Sequence, residues 1–211
     1  MNTRILIFGD SYTWGAWDSE GGYVDRLKRI ANQRTIAKEG AEKIQIFNLG
    51  IGGETSRTIL KRVADEIENH LSDKWQIKLM FTFGANDVRV KSGIAEIPID
   101  EFRDNVQKII DVTKKYTDDV IFFGSPPVFT PIVEFSNSVY SDDTIKEYDT
   151  AMKEVVEKNG VEYVNVREQI EKRGLDGLYA FDDIHLNDEG HKFMAEIIGN
   201  NEFFDSSEEE K

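Results

Sequence analysis

Apolar residues recur along this chain in two rhythms. Short runs rich in β-branched and aromatic side chains occur at residues 4–8, 44–48, 79–83, 120–123 and 161–166, and runs of that length and composition predict strands. Between them, apolar positions return every three or four residues over 23–37, 58–71 (Ile59, Val63, Ile67, Leu71), 102–116 and 145–158, the spacing of helices with one face against a core. Strand and helix therefore alternate. The strands are too uniformly apolar to leave one face in water, so the pattern predicts an α/β fold with a parallel sheet covered by helices on both faces.

In such sheets, ligand and catalytic groups collect beyond the carboxyl ends of the strands. Polar and glycine-rich segments follow four of the predicted strands: Gly9-Asp10-Ser11, residues 50–55, Gly84-Ala85-Asn86-Asp87, and Gly124-Ser125-Pro126-Pro127. These segments are expected to converge. Residues 126–143 are long, partly apolar (Val128, Phe129, Ile132, Val133, Phe135, Val139, Tyr140) and without clear periodicity. They read as a lid or pocket wall, or as an ordered surface loop.

The 211 residues suit one domain, expected to span 1–204, with 205–211 as an acidic, disordered tail. A net charge of −14 and no basic patch exclude nucleic acid and anionic membrane surfaces as partners. No apolar run approaches the roughly 18 residues of a membrane span, so no stable membrane insertion is expected. The first residues run straight into Ile5-Leu6-Ile7-Phe8 without a leader pattern, which reads as cytoplasmic. With no cysteine, disulfides, thiolate catalysis and thiolate metal sites are excluded. The residues carry no signature of a particular oligomeric state.

A serine hydroxyl becomes a nucleophile only when a supported base can take its proton. Of the three histidines, His70 ends a predicted helix, where a surface or helix-terminus role fits, and His191 beside the last helix reads as structural. His185 differs: in Asp182-Asp183-Ile184-His185 a carboxylate precedes the imidazole by three residues in a loop before the final helix. A turn at that spacing can fold Asp182 against one ring nitrogen and leave the other for Ser11. Acyl transfer further needs donors for the oxygen that becomes negative. The backbone N–H groups of Ser11 and Gly53 and the Asn86 amide are candidates. Asp10 is expected to hold Ser11 in place, and Asp87 to hold Asn86 or the turn after it.

These residues together resemble the SGNH hydrolases of the GDSL esterase and lipase superfamily. The matching blocks are Gly9-Asp10-Ser11-Tyr12-Thr13-Trp14-Gly15, Asn48-Leu49-Gly50-Ile51-Gly52-Gly53-Glu54-Thr55, Gly84-Ala85-Asn86-Asp87 and Asp182-Asp183-Ile184-His185. Leu186 stands where many members have proline. The resemblance implies a flavodoxin-like three-layer sandwich with a five-stranded parallel sheet, Ser11 as nucleophile, Gly53 and Asn86 in the oxyanion hole, Asp182 and His185 completing the triad, and neither cofactor nor metal.

The implied substrate is a small-molecule or glycan ester. Trp14, Trp17 and Tyr12 near Ser11 suit a sugar or aryl group, which leans toward short acyl chains or acetylated carbohydrates; equally, these aromatics could be core. An apolar wall around Phe129 and Phe135 would instead suit the longer chains of lysophospholipase or thioesterase substrates. A non-catalytic flavodoxin-like binding protein could use Ser11 and Thr13 as phosphate ligands, but that leaves the Asp182 and His185 pair unexplained.

Overall fold

The structure is a computed structural model that describes residues 2–204; the segment expected to be an acidic tail lies outside the described residues. Five strands, β1 (Thr3–Gly9), β2 (Ile44–Gly50), β3 (Gln76–Thr82), and two further strands at Val120–Phe123 and Glu162–Val164, form one parallel sheet. With the small strands β4 (Val90–Lys91) and β5 (Ile94–Ala95) between them in sequence, the last two are β6 and, after β7 (Ile132–Phe135) and β8 (Ser138–Ser141), β9. The sheet order is β2-β1-β3-β6-β9. Chain direction across the sheet thus reverses at β1, leaving a crevice between the ends of β1 and β3, where such folds bind ligands.

Among the described residues seven helices lie between or after the strands: α1 (Ser11–Trp14), α2 (Gly22–Ala37), α3 (Ser56–His70), α4 (Ile99–Thr113), α5 (Asp142–Lys158), α6 (Val166–Arg173) and α7 (Asp188–Gly199), followed by a 3₁₀ turn at Glu202–Phe204. On one face α2 packs against α7; on the other α3, α4 and α5 pack in a row. The three-layer α/β sandwich expected from the alternation is therefore present. Its core runs through the central strands, where Leu6, Ile7, Phe8, Leu79, Phe81, Ile121, Phe122 and Phe123 are wholly buried. Each such side chain contributes roughly 1.5–3 kcal/mol by leaving water.

Helix starts lie ahead of the apolar periodicity. α4 begins at Ile99 after Pro98, with Asp100 and Glu101 in its first turn, and α5 begins at Asp142. Acidic first turns suit the helix dipole but carry no apolar repeat. α3 starts with Thr55 and Thr58 in a reciprocal capping box.

Residues 126–143, expected to be a lid or surface loop, contain a hairpin. β7 and β8 pair antiparallel with Val133 opposite Tyr140, and β8 pairs in turn with β4, giving a second sheet in the order β5-β4-β8-β7. Its two-residue turn, Ser136-Asn137, has both φ angles positive, at 50° and 60°, as a type I′ turn needs. The hairpin is anchored from below: Arg167 Nη1 meets both oxygens of Asp142 at 3.0 and 2.9 Å, and Asp142 also accepts the Val128 N–H at 3.0 Å.

Candidate active site

Ser11 opens α1 at the carboxyl end of β1. Asp10 caps this short helix, its Oδ1 accepting the Tyr12 N–H at 3.0 Å. A Cβ on Gly9 would stand 2.1 Å from Thr13 Oγ1 and 2.3 Å from the Thr82 carbonyl oxygen, so only glycine fits where the strand turns into the helix. Tyr12 is buried at the inner edge of the crevice, and its hydroxyl donates to the Ile184 carbonyl at 2.7 Å. That bond ties the serine turn to the loop carrying His185.

In this loop Ala180 N–H donates to the His185 carbonyl at 2.8 Å and Asn187 N–H to the Leu178 carbonyl at 2.9 Å, forming an antiparallel bridge between Tyr179 and Leu186. His185 Nε2 lies 2.9 Å from Ser11 Oγ, and Nδ1 lies 2.7 Å from Asp182 Oδ2. Asp182 Oδ1 accepts the backbone N–H groups of Ile184 and His185 at 3.2 and 2.9 Å. Burial pushes the Asp182 carboxyl up, but the hydrogen bonds from His185, side chain and backbone, and from Trp17 outweigh it and hold the pKa at about 2. An ionised carboxylate there favours the tautomer with hydrogen on Nδ1 and a lone pair on Nε2 facing Ser11.

Trp17, expected from the sequence only as a stacking aromatic near Ser11, also contacts the triad residues. Its indole N–H donates to Asp182 Oδ2 at 2.7 Å, and the same nitrogen is 3.2 Å from His185 Nδ1. The ring stands edge-on to His185 with centroids 5.9 Å apart. Its backbone is left-handed, φ 64°, an uncommon conformation for so bulky a residue. All three aromatics border the cleft, Tyr12 as a buried core residue and Trp14 and Trp17 as exposed ones.

The expected donors come to the same crevice. Gly53, with φ 79°, and Asn86 line the cleft together with Ser11 and His185. Sequence alone assigns Asp87 to Asn86 or the turn after it, but in the fold Asp10 makes that contact: Asn86 Nδ2 donates to Asp10 Oδ2 at 3.3 Å. An amide has a second hydrogen, which remains for a ligand. Asp87 instead accepts from Ser56, through Oδ1 from Oγ at 2.5 Å and from the N–H at 3.0 Å. It thereby pins the start of α3 just beyond the Gly53 loop.

Both carboxyls are deeply buried. Desolvation raises Asp10 from 3.8 to about 7, against the lowering effect of the Tyr12 N–H and of His185, and raises Asp87 to about 7 against its bonds from Ser56. A folded pKa above the unfolded one means that the folded state binds more protons between about pH 4 and 7. The stabilisation is full below that window and is lost as pH rises through it. Asp87→Asn keeps an acceptor for Ser56 without a buried charge. Its Tm relative to the parent is therefore expected to improve by at least about 3 °C between about pH 5 and pH 8.5; a gap independent of pH in thermal melts would contradict the buried ionisation.

The remaining histidines are structural. His191 is fully buried, with Nε2 donating to the Ala16 carbonyl at 3.0 Å and a stacked contact with Tyr23. His70 ends α3, its Nδ1 donating to the Glu66 carbonyl at 2.7 Å. Among the described residues no group of three or more His, Cys, Asp or Glu side chains is arranged to hold a metal ion. No helix among them is long and apolar enough to cross a membrane.

The cleft has a volume of about 280 Å³. Trp14 and Trp17 form one wall, and Phe135, Ser136, Ser138 and Tyr140 of the hairpin form another. Residues 126–143 thus supply a pocket wall.

Comparison with known proteins agrees with this fold. The chain is 25% identical over 204 residues to the isoamyl acetate-hydrolyzing esterase of Saccharomyces cerevisiae, covering 92% of this chain and 84% of that protein. It superposes on a lipase/acylhydrolase of Enterococcus faecalis with a TM-score of 0.72 at 24% identity, covering 96% of both chains. An acetylxylan esterase of Geobacillus stearothermophilus gives a TM-score of 0.72 at 20% identity, with 97% of each chain covered. The model of the GDSL-like lipase/acylhydrolase family matches residues 7–193, and the chain therefore belongs to that family of ester hydrolases.

Proposed function

We propose that Ser11, His185 and Asp182 form the catalytic triad of a serine esterase acting on short-acyl or acetyl esters. The observation that carries this reading is the unbroken line of hydrogen bonds from Asp182 Oδ2 through both nitrogens of His185 to Ser11 Oγ, at 2.7 and 2.9 Å. His185 Nε2 removes the serine proton as Oγ attacks the ester carbonyl, and Asp182 stabilises the imidazolium that forms. The tetrahedral oxyanion sits among the Ser11 and Gly53 N–H groups and the Asn86 amide. His185 then protonates the leaving alcohol, and a water activated by the same nitrogen releases the acid and regenerates Ser11.

Asp10 has a positioning part in this scheme. By accepting one hydrogen of the Asn86 amide, it turns the other toward the oxyanion before substrate arrives, and such preorganised donors lose little energy to reorientation. Asn86→Ala is expected to lower kcat by about 10²–10³ with KM little changed. An unchanged kcat in steady-state assays would remove Asn86 from the mechanism.

The preference for short acyl groups rests on the cleft. A volume of about 280 Å³ falls just below the usual range of ligand pockets, roughly 300–1,000 Å³. The isoamyl acetate and acetylxylan activities in the names of the similar proteins favour the same class. 4-Nitrophenyl acetate is expected to exceed 4-nitrophenyl octanoate in kcat/KM by at least about tenfold, a difference of roughly 1.4 kcal/mol. The reverse preference would redirect the reading to long-chain acyl substrates.

A further inference from the structure

The chain has 40 Asp and Glu residues against 26 Lys and Arg, yet among the described residues no carboxylate lines the cleft, while Arg89 and Lys91 do. Both cations lie on the side of β4. Arg89 is held rather than loose: its Nε meets Glu96 Oε2 at 3.3 Å, and its side chain is 18% exposed. Its Nη1 would lie 3.7 Å from a Cβ built on Gly53, so the guanidinium stands beside the candidate oxyanion loop. Tyr140 of the hairpin, pushed up by burial, is drawn down by the charge of Arg89, so the guanidinium is near the hairpin side of the same cleft. Lys91 is exposed and forms no ion pair among the described residues.

Held at the cleft by Glu96 and only 18% exposed, Arg89 has its position set before a ligand enters. Its guanidinium keeps N–H donors beyond the one given to Glu96, and Lys91 adds a mobile ammonium on the same side. The opposite wall, Trp14 and Trp17, carries no charge. A neutral acetyl ester would use none of the cationic side. A net charge of −14 repels anions at long range, and two cations at the mouth oppose that repulsion where it would matter for a substrate.

We infer that the preferred ester carries an anionic group, a carboxylate or phosphate, on the part that faces Gly53 and β4, where Arg89 and Lys91 bind it. This deepens the esterase reading and rests on it. Hydrolysis itself is unchanged: water cleaves the acyl–oxygen bond, and the anionic group remains on whichever product carried it.

The test compares matched esters on the intact protein. On the acyl side, the 4-nitrophenyl hemiester of glutaric acid is set against 4-nitrophenyl butyrate; on the alcohol side, 4-acetoxybenzoate and 4-acetoxyphenyl phosphate are each set against 4-acetoxybenzamide. In at least one pair the anionic ester is expected to lead in kcat/KM by about tenfold or more at low salt. That ratio should collapse toward one as salt rises from about 0.01 to 1 M, because the screening length falls from ~30 to ~3 Å. It should fall likewise in Lys91→Glu and Arg89→Gln, read as the ratio within each variant so that any general loss cancels. Neutral esters turned over as well as or better than their anionic partners in every pair would overturn the inference while leaving the esterase reading intact. Failure to hydrolyse any of these esters, with no phosphonylation of Ser11, would overturn both.

Discussion

Ser11→Ala is expected to lower kcat for a short-chain ester by about 10⁶ and to abolish labelling by a fluorophosphonate, with Tm close to that of the parent. The size follows from what the substitution removes. Among the described residues Ser11 Oγ is the one hydroxyl hydrogen-bonded to His185 Nε2, the chain has no cysteine, and the neighbouring Tyr12 and Thr13 hydroxyls are committed to Ile184 and Tyr23. Groups that act as one unit lose nearly all of their joint effect when one is deleted. What remains is binding and the oxyanion donors, which give residual acceleration over water of roughly 10³–10⁴. The structural cost is small because the Ser11 side chain accepts no packing role in the core and the helix cap belongs to Asp10. Mass spectrometry of labelled parent and variant checks the expectation. Label retained in the variant, or placed on another residue of the parent, would disprove the assignment of Ser11 as nucleophile.

Asp182→Asn should be the next most damaging change, lowering kcat by about 10⁴ while leaving KM nearly constant. Its carboxylate accepts four hydrogen bonds, two at Oδ1 from backbone N–H groups and two at Oδ2 from His185 and Trp17. The backbone donors cannot rotate away, so an asparagine keeps its carbonyl toward them and presents its NH₂ to His185 Nδ1. The imidazole must then accept at Nδ1 and carry its hydrogen on Nε2, where it points at Ser11 Oγ and can no longer take a proton. Trp17 would simultaneously face a donor and lose its acceptor. Steady-state kinetics with a Tm control checks this. A variant within tenfold of the parent would mean that Asp182 does not set the tautomer.

The two substitutions show where sequence reading stops. Ser11, Asp182 and His185 could be singled out because each sits in a short segment whose meaning is local: a glycine turn after an apolar strand, and a carboxylate three residues before a histidine. Trp17 could not be placed on Asp182. Its contact spans 165 residues, and its backbone conformation is one that tryptophan seldom adopts, so propensity points away from it. The exchange of partners between Asp10 and Asp87 has the same origin, because adjacent residues in Asn86-Asp87 face different elements once β3 ends and the α3 terminus is packed nearby. The hairpin of β7 and β8 was hidden for another reason. Its strands are four residues each and its turn is Ser136-Asn137 rather than a glycine pair, so neither alternation nor turn chemistry rose above the surrounding loop.

By itself the sequence determined the layer architecture, since burying five uniformly apolar strands leaves few arrangements besides a parallel sheet between helices. It also determined which segments meet at the carboxyl end of that sheet, because a parallel sheet sends every strand's end to one edge. Tertiary structure alone decided the 2.9 Å approach of His185 to Ser11, the indole on Asp182, the route from Asn86 to Asp10, and the placing of Arg89 and Lys91 in a cleft that no carboxylate lines among the described residues. Periodicity and local motifs report which face of an element is buried and where chains turn. Hydrogen-bond partners and cleft composition depend on side chains far apart in sequence, and those are joined only when packing brings their elements together.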